Sequence, residues 1–341
     1  MKEFGSNFHY VSCGPAAVNA SSESRTLYGD GRQALVNLYQ SQGWKRLWVP
    51  EYFCYDVLSS WEKAGLKISF YPDYPGADDE PVIRSIAFQS GDALLRINYF
   101  GVRKFRSNKG IPVPVVEDHT HDLMGDWVLR SDADYCIASL RKTLPVAEGG
   151  ALWSPKGLPL PPAPPVSAYN ESVAARRWEA MRLKAQYLEG APIDKQAFLR
   201  VFLETEAYFD SASVSRIDNQ SQLFLQGFDI TGWNARKLRN FDALSLIASQ
   251  HFSYMVPEDG NCNPFSFIII CETPEYRDKL RHELILQDIY PAVLWSIPLD
   301  IPASEKAKSF SRRMLSIHCD GRYSIEDMEL LRSRLELLTA L

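Results

Sequence analysis

Two short segments carry residues whose types and order could do chemistry. The first closes the apolar run 113–117 with the acidic pair Glu117-Asp118, followed by His119, Thr120 and His121. The second closes the run 135–139 at Ser139 and continues through Leu140 into the basic pair Arg141-Lys142. A glycine turn, Glu148-Gly149-Gly150, begins six residues after Lys142. An amine and a carboxylate delivered to one edge of a sheet match what pyridoxal phosphate needs. The lysine forms a Schiff base, and the carboxylate keeps the pyridine nitrogen protonated so that the ring acts as an electron sink.

Simpler readings stand beside this one. An Asp at a strand end is commonly a helix N-cap or turn residue, and a loop Lys is commonly solvated. His119-Thr120-His121 on extended chain puts two rings on one face, as a metal site would need, but no further His or Cys cluster accompanies them. A third element favours the cofactor. In the segment Tyr-Gly-Asp-Gly-Arg-Gln-Ala-Leu, residues 28–35, Gly31 permits a tight turn. The amides of Arg32 and Gln33 then open a helix with an apolar face of Ala34, Leu35, Leu38 and Tyr39. Exposed N–H groups at a helix start favour an anion such as phosphate, and the Arg32 guanidinium can add a bidentate contact. Taken alone, an ordinary turn explains that segment as well.

Together these segments resemble the DegT/DnrJ/EryC1/StrS family, the sugar aminotransferases of pyridoxal-phosphate fold type I. The resemblance runs from about residue 26 to residue 335. Gly31-Arg32-Gln33-Ala34-Leu35 stands where the family has its Gly-Thr-x-Ala-Leu phosphate turn, which implies cofactor contacts for Gly31, Arg32 and Gln33. Val49-Pro50-Glu51-Tyr52, Ala64-Gly65 through Phe70, and Asn98-Tyr99-Phe100-Gly101 match further family anchors in order. The resemblance implies that Asp118 pairs with the pyridinium nitrogen and that His121 hydrogen-bonds the phenolic oxygen. It places Thr120 against the ring face, Ser139 on the phosphate and Lys142 in the Schiff base. Cys54 falls at the ring-stacking position, with the aromatic residues Phe53 and Tyr55 on either side. Trp295-Ser296-Ile297-Pro298-Leu299 resembles a family segment near the substrate, although plain packing also accounts for Trp295.

Two departures are visible. Only Leu140 and Arg141 separate Ser139 from Lys142, where the family has about four residues. The family's Gly-x-Asn-x-Arg-Met segment has no counterpart, and residues 213–222 occupy its place. The resemblance implies transamination of a keto (nucleotide-)sugar with an amino acid donor, glutamate by analogy, in a homodimer. Three other readings stay open: a divergent or non-catalytic relative that binds the cofactor, a pyridoxal-phosphate enzyme of another reaction type, and a cofactor-free nucleotide-binding α/β protein. Relatives that deoxygenate replace the lysine with His, and no Gly-x-Gly-x-x-Gly follows a strand here.

The elements that must position these residues read as strands alternating with helices, an α/β pattern with a parallel sheet. Candidate strands are 46–49, 67–71, 93–98, 113–117, 135–139 and 150–153. Ligands of such sheets bind beyond the carboxyl ends of the strands, where Asp118, Ser139 and Lys142 all fall. The proline-rich stretch 155–167 reads as a surface crossover. Helices are expected at 168–188, 194–209 and 233–250; the C-terminal part adds strands at 265–271, 290–295 and 312–318 and helices at 273–287 and 324–338. Ser324 with Asp327 forms a capping pair. The expected architecture is a three-layer large domain, residues 1–232, with a mostly parallel seven-stranded sheet, and a small α/β domain, residues 233–341.

Bulk properties narrow the setting. A chain of 341 residues with 45% hydrophobic content can bury a large core. A net charge of −5 gives no electrostatic case for nucleic acid or an anionic membrane. No apolar run reaches the roughly 18 residues of a membrane span. Six scattered cysteines without a C-x-x-C pair, and no signal-peptide pattern at the start, fit a reducing cytoplasmic setting.

Overall fold

A computed structural model describes residues 2–13, 25–162, 164–209 and 213–339. In chain order, the first half contains β1 (Phe4–Gly5), β2 (Thr26–Tyr28), α1 (Gly31–Gln42), β3 (Arg46–Pro50), α2 (Leu58–Lys63), β4 (Ile68–Tyr71), α3 (Glu80–Ser85), β5 (Asp92–Ile97), β6 (Val115–Asp118), α4 (Asp126–Arg130), β7 (Tyr135–Ser139) and β8 (Gly150–Trp153). The second half contains α5 (Ala168–Leu188), α6 (Lys195–Phe209), α7 (Asn219–Gly227), α8 (Ile230–Ser245), β9 (Phe252–Tyr254), β10 (Phe267–Cys271), α9 (Pro274–Leu286), β11 (Ile289–Tyr290), α10 (Glu305–Arg313), β12 (Met314–Ile317) and α11 (Ile325–Thr339).

Seven strands form the main sheet in the order β2-β8-β7-β6-β5-β3-β4. β7, β6, β5, β3 and β4 run parallel, while β8 is antiparallel to both of its neighbours. The strand side chains alternate between two apolar cores. Ala93, Leu95, Val116, Tyr135, Ile137 and Leu152 face one core with Leu35 and Leu38 of α1 and Trp61 of α2. Leu94, Val115, Cys136, Ala138, Ala151 and Trp153 face the other with Trp178 and Met181 of α5 and Phe198 and Phe202 of α6. Burial on both faces explains why these strands read as unbroken apolar runs. Three layers result, as expected.

The helix starts follow capping chemistry. Asp30 Oδ1 accepts the Gln33 amide at 2.9 Å, and Gly43 closes α1 in the left-handed conformation at φ 63°. Ser167 accepts the Asn170 amide at 3.0 Å where the proline-rich crossover turns into α5. Ser324 and Asp327 cap α11 reciprocally, at 3.0 and 3.3 Å.

A third core gathers Phe241, Phe267, Ile269, Leu284, Leu315 and Leu335 around the three-stranded antiparallel sheet β12-β10-β9. Several boundaries differ from expectation here. The strand expected over 290–295 is only Ile289–Tyr290, paired with β1 from the N-terminal segment. Pro291 has no N–H for a ladder, and beyond it the chain turns so that Trp295 faces a cavity. The strand expected from residue 312 begins at Met314, because Arg312 and Arg313 complete α10, which Ser304 caps through the Ala307 amide. The helix expected over 233–250 spans Ile230–Ser245. Asp229 caps it through the Gly232 amide at 2.8 Å, so that glycine sits inside the first turn.

Candidate active site

The parallel register sets the site. β6 and β7 lie side by side with Asp118 opposite Ile137, so both strands end at the same edge. The Ser139 amide donates to Thr120 Oγ1 at 2.9 Å, and Thr143 Oγ1 donates to the Thr120 carbonyl at 2.7 Å. Thr120 thereby ties the two strand ends to the turn that carries Lys142.

The start of α1 is pressed against this edge. A Cβ on Gly31 would lie 3.2 Å from the Ser139 amide nitrogen, so glycine permits close approach here; the backbone is not left-handed. That replaces the tight-turn reason inferred from sequence. Gly150 is more tightly placed, since a Cβ there would fall 2.1 Å from the Asp30 carbonyl oxygen. The Gly149 amide donates to the Gly29 carbonyl at 2.7 Å, which joins the two glycine turns. Glu148 anchors the junction from behind: Asn170 Nδ2 donates to its two oxygens at 2.8 and 2.9 Å, and the Asp218 amide donates at 2.7 Å. Burial pushes the Glu148 carboxyl up to about 9, so it is a neutral structural acid at neutral pH.

One cavity at the strand ends is lined by Gly31, Arg32, Cys54, Asp118, Thr120, His121, Ser139 and Lys142. Asp30, Arg141, Phe53, Phe265 and Trp295 complete much of its wall. Gln33 is the exception among the residues singled out from sequence. Its amide is taken by Asp30, and its side-chain oxygen accepts the Ser215 amide at 3.1 Å, which turns it away from the cavity. The expected Gln33 amide contact to a phosphate is therefore not available in this arrangement.

Asp118 accepts the Thr120 amide on Oδ1 at 2.8 Å. Burial raises its carboxyl above the ordinary range, opposed by the Thr120 hydrogen bonds. A part-buried carboxylate of this kind gains from a cation placed beside it. His121 accepts the Phe100 amide on Nδ1 at 3.2 Å, which leaves the proton of the neutral ring on Nε2. Burial first, and the Lys142 charge second, push His121 down to about 3, so it is neutral at physiological pH. Its ring stacks on Trp295 at 5.3 Å and 21°, and packs on Phe265 at 4.6 Å. Phe100, whose amide holds His121, has a positive φ of 55°. Such strain in a non-glycine residue commonly accompanies functional sites.

His119 goes elsewhere. Its Nε2 lies 3.0 Å from Glu117 Oε2 in a buried group with Cys136, so the two histidines do not share a metal site. Lys142 stands at the end of the helical turn Leu140–Lys142, with 46% of its side chain exposed. The field of Arg141 first, and burial second, push its amine down to about 8, with Glu206 opposing. The short Ser139–Lys142 segment thus delivers the lysine to the cavity in a single turn.

Sequence reasoning missed Glu206, which α6 brings within 3.8 Å of Lys142 Nζ and into a bidentate pair with Arg141 at 2.7 and 2.9 Å. Only the fold pairs positions this far apart, and no local pattern marks a lone glutamate on a charged helix. Asp30 was not singled out either, although an Asp just before an apolar-periodic run is an N-cap signal. Phe53 and Cys54 both line the cavity, so an aromatic ring does flank the position aligned with a stacking residue.

Comparison with solved structures places this geometry. Helicobacter pylori PseC, an aminotransferase involved in the biosynthesis of pseudoaminic acid, superposes with a TM-score of 0.64 over 99% of this chain and 100% of its own, at 11% identity. The aminotransferase TlmJ of Streptoalloteichus hindustanus gives 0.63 over 95% and 87%, at 13% identity. A DegT DnrJ EryC1 StrS aminotransferase from Brucella abortus gives 0.55 over 94% and 87%, at 14% identity. This chain has the fold of the type I pyridoxal-phosphate aminotransferases. No family model matches its sequence, and no curated protein does. Within that fold, the place of the missing Gly-x-Asn-x-Arg-Met segment is used structurally. Arg216 bridges to Tyr28, and Asp218 caps α7 through the Gln220 and Ser221 amides.

Proposed function

We propose that this chain is a pyridoxal-phosphate-dependent aminotransferase of the DegT/DnrJ/EryC1/StrS kind, moving an amino group from an amino acid, glutamate by analogy, to a keto (nucleotide-)sugar. The observation that carries the reading is the meeting of Asp118, Lys142, and the Gly31–Ser139 contact in one cavity at the ends of parallel strands. These residues fit the cofactor. The part-buried Asp118 carboxylate has the chemistry to hold a protonated ring nitrogen, and the Nε2–H of His121 is a donor for a phenolic oxygen. Gly31, Arg32 and Ser139, with Arg141 near them, supply close backbone approach and positive charge for a phosphate.

When bound, the cofactor supplies an electron sink for the bonds at the amino donor's α-carbon. Lys142 does the rest of the proton work. Held near neutrality by Arg141, its amine can take a proton from one carbon and return it to another. His121 stays neutral and fixed in its aromatic stack, so it orients without competing for that proton. Phe265, Trp295 and Phe53 contribute to the apolar part of the wall, which limits water beside the reacting atoms.

The reading includes a homodimer, a boundary between large and small domains near residue 233 and a reducing cytoplasmic setting. The separate apolar core of the C-terminal part and the six free cysteines support the last two. Among the described residues, no helix is long and apolar enough to cross a membrane. The test is a half-reaction. Purified protein loaded with pyridoxal phosphate and given excess L-glutamate should lose its visible cofactor band and release 2-oxoglutarate in proportion to active sites. Supplying a keto nucleotide sugar should restore the band. A cofactor-loaded protein that shows no change with glutamate, glutamine or other common amino acids contradicts transamination and favours a binding role.

A further inference from the structure

Four cations converge on one carboxylate beside the proposed cofactor pocket. Glu206 of α6 accepts two hydrogen bonds from Arg141, at 2.7 and 2.9 Å. It also lies 3.5 Å from Arg177 Nη1, 3.6 Å from Arg32 Nη2 and 3.8 Å from Lys142 Nζ. Arg177 is itself pinned, donating to the Ala147 carbonyl at 2.9 Å and to Thr205 Oγ1 at 3.0 Å. The Arg141 guanidinium rests over the Phe209 ring, 4.6 Å from its centroid. Two of the four cations, Arg141 and Lys142, are chain neighbours, so without an anion between them they would repel at close range.

We propose that Glu206 is the positioning residue of this cavity, clamping Arg141 in place and supplying the counter-charge that sets how readily Lys142 gives up its proton. This deepens the aminotransferase reading and rests on it for the identity of the aldehyde. Only an unprotonated Nζ has a lone pair for an aldehyde carbon; that condensation forms a carbon–nitrogen double bond and releases one water. The groups facing Lys142 come from every surrounding element. Arg141 on its own turn and Arg32 on α1 disfavour the ammonium form, and Glu206 on α6 favours it; the Cys54 thiol after β3, pushed up by burial, adds no charge where Lys142 titrates. Asp118 lines the same cavity, and His121 there is neutral. Arg141, Lys142 and Arg177 together hold Glu206 well below the usual carboxylate range against the opposing effect of burial, so its charge is present wherever Lys142 titrates.

The test needs no cofactor. Trace acetylation of the cofactor-free protein, read by mass spectrometry on the Lys142 peptide across a range of pH, should give a midpoint at about 8. In Glu206→Gln the midpoint should fall by roughly one pH unit, giving roughly five times more label at pH 7. An unchanged or higher midpoint overturns the assignment, whereas a merely structural role for Glu206 would alter melting and not this profile. If Glu206→Gln does not fold, Glu206→Asp draws the carboxylate back and should lower the midpoint by a smaller amount; no decrease overturns the proposal equally. Repeating the labelling with pyridoxal phosphate separates the two readings. A shifted midpoint with no protection of Lys142 by the cofactor supports Glu206 and sinks the aminotransferase reading. Protection with an unshifted midpoint does the reverse.

Discussion

The two walls of the cavity are built on opposite principles. Asp118, Thr120 and His121 follow directly from a strand end, and backbone amides and stacked rings hold them. That wall carries a neutral histidine and a carboxylate raised by burial. The facing wall, Arg32, Arg141 and Lys142, is a cluster of cations organised by one glutamate from a helix that follows the proline-rich crossover. Hydrogen-bond geometry fixes the first wall; charge balance fixes the second. On the proposed reading, the stiff strand ends orient a planar ring, and the charged wall captures an anion and controls an amine.

The largest expected effect comes from breaking the first wall's chemistry while keeping its shape. Asp118→Asn preserves the contour but cannot hold a protonated ring nitrogen as strongly. The rate at which glutamate bleaches the cofactor band should fall on the order of 10³-fold, with the melting temperature close to that of the parent. Near-normal half-transamination in stopped-flow absorbance would remove Asp118 from its role and dissolve the distinction between the walls.

A smaller effect, on stability, should come from the seam that joins the walls. Gly150→Ala puts a methyl group where the Asp30 carbonyl stands, 2.1 Å from its oxygen. The start of α1 must then move away from β8, which should cost about 3 kcal/mol in a denaturant titration and weaken binding of pyridoxal phosphate. A variant with parent-like stability and cofactor affinity would show that the glycine turns are not what holds α1 against the strand edge.

The same contrast explains what the sequence made legible. The strands 135–139 and 150–153 and the helix 168–188 have the bounds expected, because double-sided burial writes continuous apolar runs and a serine cap follows a proline stretch. Asp118, Ser139 and Lys142 were placed at one sheet edge by strand order alone, and the structure brings them into one cavity. Gln33 was misread because Asp30, one residue before the helix, competes for its amide. Glu206 was invisible because its meaning lies in a tertiary contact made 64 residues further along the chain than Lys142. Strand β11 was overextended because the partner that defines it, β1, comes from the other end of the chain. Local chemistry could be read in order; long-range charge pairing could not.

The most direct test of the central claim is borohydride reduction of the protein in the presence of pyridoxal phosphate, followed by peptide mapping. A single stable adduct on Lys142 is expected, abolished in Lys142→Ala together with the visible cofactor band, while the variant remains folded by circular dichroism. An adduct on another lysine, such as the buried Lys184 or Lys237, or an unchanged band in Lys142→Ala, would contradict it.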